Sequence, residues 1–170
     1  KEPMDIISDF LGVNPVMIDS AIVSPQHRKR LYWTNINDGK PTQPKNQYCY
    51  FEHISEDGNW QIAAQRGRRY DDNGVRDNSL KVRQWLEPRH DGKTNCITTV
   101  KKDNVVMLSP ITKKIIASKG QTRQMTTTEI ELCQTLPAGY TKSVSKRKGE
   151  YMVGRGWTVD VIVHILSQMK

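Results

Sequence analysis

Ser24-Pro25-Gln26-His27-Arg28-Lys29-Arg30-Leu31-Tyr32-Trp33 is a basic stretch that turns aromatic and runs on to Ile36. Read as a strand, its side chains alternate between two faces. Arg28 and Arg30 then share one face, and Lys29, Leu31 and Trp33 share the other. Two guanidiniums on one side of a rigid element form a fixed fork of donors. Such a fork suits carboxylates, phosphates or the oxygen of a nucleobase. Spacing alone leaves a second reading open, a solvated basic edge followed by a core strand.

The elements around this stretch set its context. Ile6, Ile7, Phe10 and Leu11 recur at helical spacing, so residues 3–11 are expected to form a short amphipathic helix. Pro3 suits its first turn and Gly12 its end. Val16-Met17-Ile18, between Asn14-Pro15 and Asp19-Ser20, is expected to be a buried strand. Helix, strand, loop and strand suggest the last part of an α/β sheet. They are too few to cover both faces of one, so the chain is expected to open in the middle of a fold.

The chain has 170 residues and a net charge of +8. The excess is uneven: residues 1–60 carry 6 Lys/Arg against 8 Asp/Glu, residues 61–120 carry 13 against 6, and residues 121–170 carry 7 against 4. A concentrated basic middle is the footprint of a phosphate-backbone binder, or of a merely soluble basic surface. No apolar run approaches the roughly 18 residues of a membrane span, and no signal peptide is expected. Cys49, Cys96 and Cys133 lie far apart, with no Cys-x-x-Cys pair, which argues against a structural zinc site and a disulfide framework. No metal-ligating residues are expected. A reducing, cytoplasmic compartment is expected.

Residues 37–47 are turn-rich and polar, a boundary or linker. Tyr48-Cys49-Tyr50-Phe51 reads as a strand or as the entry to a turn. Beyond it, Gln65-Arg66-Gly67-Arg68-Arg69-Tyr70 leads into Asp71-Asp72-Asn73-Gly74, a hairpin-type turn. Trp85-Leu86-Glu87-Pro88 ends a short element. Cys96–Val100, Lys101–Asn104 and Val105–Leu108 read as strand, turn and strand. Short strands with arginine-rich connections can enter a DNA groove while their cations hold phosphates. Arg66, Arg68, Arg69, Lys101 and Lys102 are the expected DNA contacts. Residues 111–120 are mixed, with Lys113-Lys114 and Lys119-Gly120. Thr126 and Glu129 have the spacing of a capping box opening a helix that Pro137 stops. Residues 142–150 are basic without apolar periodicity and are expected to be a loop. Gly154-Arg155-Gly156-Trp157-Thr158 is a glycine-flanked turn. The last helix should turn Val159, Ile162, Val163, Leu166 and Met169 inward, with His164 on its flank.

Three blocks then acquire a shared meaning. Gln26–Arg30 resembles the Gln-x-Arg-x-Arg motif of the DNA cytosine-C5 methyltransferases, the eighth of ten ordered motifs. Arg123-Gln124-Met125-Thr126-Thr127-Thr128-Glu129, continuing to Leu136-Pro137-Ala138-Gly139-Tyr140, resembles the ninth, with Met125 in place of leucine and Thr135-Leu136 in place of Gly-Phe. Gly154-Arg155-Gly156-Trp157-Thr158-Val159 is similar to the tenth, in the form closest to the de novo class. Thr94–Asn104 looks like a block of phage and prophage members. The resemblance covers the whole chain, and its order makes it specific.

That resemblance implies an α/β fold: the C-terminal part of a Rossmann-like methyltransferase sheet with a smaller, mostly β target-recognition domain. Residues 1–36 would end the catalytic sheet, 37–122 would form the recognition domain, and 123–170 would return to the catalytic domain. Family enzymes flip a cytosine from double-stranded DNA, attack its C6 with a cysteine thiolate and move the methyl of S-adenosylmethionine to C5. Arg30 matches the arginine on cytosine O2, a catalytic role. Arg28 matches the one that braces the catalytic loop or an acidic group. Arg155, Gly156 and Trp157 match cofactor contacts. The family's Phe-x-Gly-x-Gly, Pro-Cys and Glu-Asn-Val blocks precede the eighth motif and are missing here. The chain is therefore expected to be a fragment or split subunit needing an N-terminal catalytic half, inactive alone, from a bacterial or phage-infected, restriction–modification setting. The alternative is a non-catalytic DNA-binding or regulatory partner of a separate methyltransferase. A tRNA substrate fits less well, because the basic segment is long.

Overall fold

The computed structural model describes residues 2–59, 61–111, 116–117 and 122–169. Helix α1 (Pro3–Leu11) forms as its spacing predicts, with Pro3 in the first turn and Gly12 closing it in the left-handed region at φ 68°. None of its residues is buried, and Phe10 is 88% exposed. Its apolar face therefore has no cover among the described residues.

Strands β1 (Val16–Asp19) and β2 (Lys29–Tyr32) pair antiparallel, with Ile18 opposite Arg30 and Asp19 opposite Lys29. The expected buried strand at 16–18 is buried only at Ile18, while Met17 is 54% exposed and Leu31 41%. The reason is that the two-stranded ribbon is covered on one face alone. There Ile18 and Val23 meet Val161 and Ile165 from the last helix.

The second sheet holds β3 (Ile62–Arg68), β4 (Arg83–Pro88), β5 (Val105–Met107), β6 (Ile116–Ala117) and β7 (Thr122–Gln124), in the order β6-β4-β3-β5-β7 and antiparallel throughout. The expected turn at Asp71–Gly74 is the tip of the β3–β4 connection, bridged at Tyr70 and Arg76, with Gly74 at φ 79°. Alternation sends β3 side chains both ways. Ala63 packs with Leu86, Val105 and Met107 on one face. Ile62 packs on the other with Phe51, Ile97, Val106, Met125 and Cys133. That second cluster joins the sheet to the helix beginning at Thr127, across the expected boundary near 122. The Lys113-Lys114 and Lys119-Gly120 pairs lie outside the described residues.

Of the two readings of Tyr48–Phe51, the entry to a turn holds: Phe51–His53 is a short 3-10 turn. One expected strand takes another form. Cys96–Val100 forms no strand, because side chains take its backbone groups. Asn95 N donates to Asn104 Oδ1 (2.8 Å), Asn104 Nδ2 donates to the carbonyls of Asn95 and Cys96 (3.3 Å each), and Ile97 N donates to Gln26 Oε1 (3.0 Å). With its bonds satisfied this way, the segment has no need of a ladder.

Helix α2 (Thr127–Cys133) opens with the predicted capping box. Thr126 Oγ1 accepts from Glu129 N (3.1 Å), and Glu129 Oε2 accepts from Thr126 N (2.9 Å). Fully buried Glu129 also takes Arg123 Nη1 and Nη2 at 2.9 and 2.7 Å. The helix stops at Cys133, before Pro137 can act, and Thr135 turns left-handed at φ 55°. Buried Glu131 then orders the following loop, accepting from the N–H groups of Gly139 and Thr141, both at 2.7 Å.

The expected loop at 142–150 is corrected from residue 146 onward by helix α3 (Lys146–Arg155). Its buried face is Gly149, Glu150, Val153 and Gly154, so apolar periodicity could not reveal it. The glycines permit close approach. A Cβ at Gly149 would lie 2.6 Å from Thr141 Oγ1, and one at Gly154 would lie 3.2 Å from the Thr98 carbonyl carbon. Gly154 and Arg155 thus belong to the last turn of α3, not to a loop. Helix α4 (Val159–Leu166) is also rephased: Val161 and Ile165 point inward, while Val163 and Leu166 are more than half exposed. Thr158 sets the phase, since its buried hydroxyl lies 2.8 Å from both Ser20 Oγ and Gln134 Oε1. His164 flanks the helix with Nε2 2.9 Å from the Thr42 carbonyl. Among the described residues no helix is long and apolar enough to cross a membrane.

Removing Arg123 strands the buried Glu129 carboxylate. Arg123→Ala is therefore expected to cost about 3 kcal/mol and Thr126→Ala about 1 kcal/mol. Urea denaturation of the two variants checks this order.

Candidate functional site

The basic stretch leaves β1 through the Ser20–Ile22 turn and arrives at β2 with Gln26 and Arg28 inside the molecule. Gln26 is fully buried. Its Nε2 donates to the Cys133 carbonyl (2.6 Å) and Gln134 Oε1 (2.8 Å), and its Oε1 accepts from Ile97 N (3.0 Å). Gln134 in turn donates to the carbonyls of Val153 (2.9 Å) and Gly156 (3.3 Å).

Arg28 is only 4% exposed. Nη1 donates to the Ile97 carbonyl and Cys96 Sγ, both at 3.0 Å, and Nη2 to the carbonyls of Gly156 (2.7 Å) and Gly154 (3.4 Å). The brace expected of Arg28 thus falls on backbone carbonyls and a thiol. No carboxylate pairs with it among the described residues.

Arg30 sits outside this network. It is exposed, donates from Nη1 to the Lys29 carbonyl (2.8 Å), and holds Nη2 3.7 Å from Cys96 Sγ. Both guanidiniums reach one sulfur, consistent with a shared face. Their roles divide: Arg28 is spent on the fold, and most of Arg30's donors face outward. An exposed planar cation on a braced strand can take the oxygen of an external planar acceptor.

The expected cofactor residues lie beside Arg28. Gly156 gives its carbonyl to Arg28 and Gln134. Trp157 follows it with its ring 66% exposed, a flat surface on which a ligand ring can stack. Arg155 lies over the Tyr151 ring at 4.9 Å and donates to its hydroxyl.

The expected DNA contacts do not form one cluster. Arg66 and Arg68 share a face of β3, and both are held by Glu87 of β4, at 3.2 and 2.5 Å. Arg66 also lies 3.8 Å from Asp103. Arg69 donates to the Asn78 carbonyl (2.8 Å). Lys101 pairs with Glu150 of α3 at 2.7 Å. Lys102 is exposed with no ion pair among the described residues. Arg83, not singled out by sequence, stacks over Trp85 at 5.5 Å on the same face as Arg66 and Arg68.

Sequence reasoning also missed a polar cluster under the basic stretch. Nitrogens of His27 lie 3.1 Å from both Asp19 Oδ2 and Asp91 Oδ2. Burial opposes the ionisation of Asp91, but Arg89, the Lys93 N–H and His27 outweigh it and hold the carboxyl at about 2. Asp19 is lowered likewise: burial opposes ionisation, and the N–H groups of Ala21 and Arg28, with His27, prevail. Lys93 buries its ammonium against the carbonyls of Ala21 (2.9 Å), Ser24 (3.1 Å) and Cys49, and burial lowers its pKa. A lysine in a polar Asp-Gly turn gives no sign of this.

Cys133 is buried, and desolvation pushes its thiol up to about 12. Cys49 and Cys96 are partly exposed, and all three are free. Among the described residues no group of three or more His, Cys, Asp or Glu could hold a metal ion. No family model matches the chain.

Arg28→Met takes the guanidinium donor from the Ile97 carbonyl and leaves the Gly156 carbonyl with Gln134 alone, and should cost about 2–4 kcal/mol. Thermal and urea unfolding measure it. The Asp91 carboxylate contributes stability that is fully present above its ordinary value of 3.8 and lost as pH falls through about 2. Asp91→Asn should therefore flatten the acid-side loss between those values, read from urea midpoints across pH.

Proposed function

We propose that this chain is the target-recognition portion of a DNA cytosine-C5 methyltransferase. One observation carries the reading. The three blocks that resemble family motifs are far apart in sequence, yet they meet around Gln26 and Arg28. Gln26 bonds Cys133 and Gln134, at the end of the helix that the second block opens. Arg28 bonds Gly154 and Gly156 of the third block. Unrelated weak matches have no reason to converge on two side chains.

In this reading β1, β2 and α4 end a Rossmann-like sheet, and β3–β7 form the recognition domain. The uncovered side chains of α1, with Met17, Leu31, Val163 and Leu166, are the surface that the N-terminal half of the enzyme would cover. That half supplies the nucleophilic cysteine and the carboxylate for cytosine N3. Arg30 donates to the O2 of a flipped cytosine and stabilises the charge that develops there in a water-poor pocket. Arg28 positions the strand that carries it. S-adenosylmethionine supplies the methyl group, and Trp157, Gly156 and Arg155 form the surface for it. Trp157 fits that role because its ring is open beside a carbonyl anchored by Arg28.

The test is methyl transfer to duplex DNA. The chain alone should transfer none, and the chain combined with its N-terminal half should be active. In the active assembly Arg30→Ala should lower kcat by about 10²–10³. Transfer by the chain alone, or none by the assembly, overturns the reading.

A further inference from the structure

A cleft of about 560 Å³ opens between residues 97–104 and α3. Neither Arg30 nor Trp157 lines it, but Tyr151, over which Arg155 lies, does, so it borders the proposed cofactor surface without including the arginine assigned to the base. Its floor is apolar, with Ile97, Met125 and Ile130, and Tyr151 lines it as well. Thr98 and Thr99 add hydroxyls.

The charge of the lining is one-sided. Lys101, Arg147 and Lys148 stand against a single acid, Glu150. That acid is already answered, by Lys101 at 2.7 Å and by Lys146 at 3.9 Å. Arg147 and Lys148 are exposed and have no ion-pair partner among the described residues. The contrast with β3 is direct, since Arg66 and Arg68 share Glu87. Uncommitted positive charge is therefore found on α3, in the basic stretch at 142–150 and outside the more strongly basic segment 61–120.

An apolar floor, an exposed aromatic ring, hydroxyls and unpaired cations are what a single nucleic-acid strand requires. Bases stack on the ring, and phosphates meet the cations and hydroxyls. The volume is that of a pocket for one small ligand, too small to enclose a duplex and large enough for a nucleotide or two. We infer that this cleft holds the backbone of one DNA strand where it leaves the duplex, in contacts that carry no sequence preference. The inference rests on the reading that the chain acts on DNA.

Anisotropy titrations of the chain, alone and in the active assembly, test it with a labelled single-stranded oligonucleotide and a duplex at two salt concentrations. Arg147→Ala combined with Lys148→Ala should weaken single-strand binding about tenfold and reduce the salt slope by about 1.4, equally for any sequence. Both side chains are exposed, so circular dichroism should be unchanged. Glu150→Gln supplies the opposite sign. It frees Lys101 and should tighten binding several-fold, whereas a purely structural ion pair would only be lost. Unchanged affinity and slope in the double variant, with wild type binding DNA, overturn the inference and leave the function standing. Competition by inorganic phosphate or a polyglutamate peptide as effective as the oligonucleotide also overturns it, making the cleft a general anion site. Absence of DNA binding by both chain and assembly overturns the function together with the inference.

Discussion

A buried guanidinium with no carboxylate paired to it among the described residues is the constraint on which this structure turns. Arg28 is compensated by carbonyl dipoles from three places: the segment after Cys96, the last turn of α3 and the turn that follows it. Desolvating a cation is costly unless every acceptor is in place. The segments must therefore be positioned together or not at all. Gln26 applies the same condition two residues earlier, bonding Ile97 on one side and Cys133 with Gln134 on the other. The two residues act as a clasp between the five-stranded sheet's connections and the terminal helices. An arginine suits this work because its planar fork addresses several acceptors in fixed directions, which a lysine cannot do.

Much of this frame could be read from sequence where the signal was local. The Thr126–Glu129 box, Pro3 and Gly12 at the ends of α1, and the strand character of residues 29–32 all depend on neighbours a few residues away. What could not be read depended on side-chain partners that local pattern does not reveal, some of them more than a hundred positions off. The phase of α4 is set by Thr158 hydrogen-bonding Ser20, so its apolar pattern alone pointed to the wrong face. α3 hides its burial behind glycines and a paired glutamate. The segment 96–100 has the composition of a strand, but two asparagines and a glutamine claim its backbone. For the site, alternation correctly suggested that Arg28 and Arg30 share a side. It gave no hint that one would be consumed by the fold and the other presented to solvent.

The electrostatics carry a related lesson. Counting charges along the chain marks residues 61–120, yet a charge binds only if it is not already satisfied. On β3 and β4 one glutamate answers two arginines, and those pairs on partly exposed strands order the sheet surface more than they attract an anion. Cations that come late in the chain, on a helix that periodicity misses, remain uncommitted among the described residues.

The asparagine pairing at the base of the 95–104 segment has a consequence for how this protein can change. Asn95 and Asn104 close the loop through their own amides, and Asn95 Nδ2 adds a bond to the Asp103 carbonyl at 2.7 Å. The ends are thus tied independently of the residues between them, and no ladder partner fixes the identity of Thr99 to Lys102. Such a loop is a cassette. Its tip can be exchanged, lengthened or recharged while the strand that follows stays in register, so new contact chemistry can be tried at this edge of the molecule without refolding the rest.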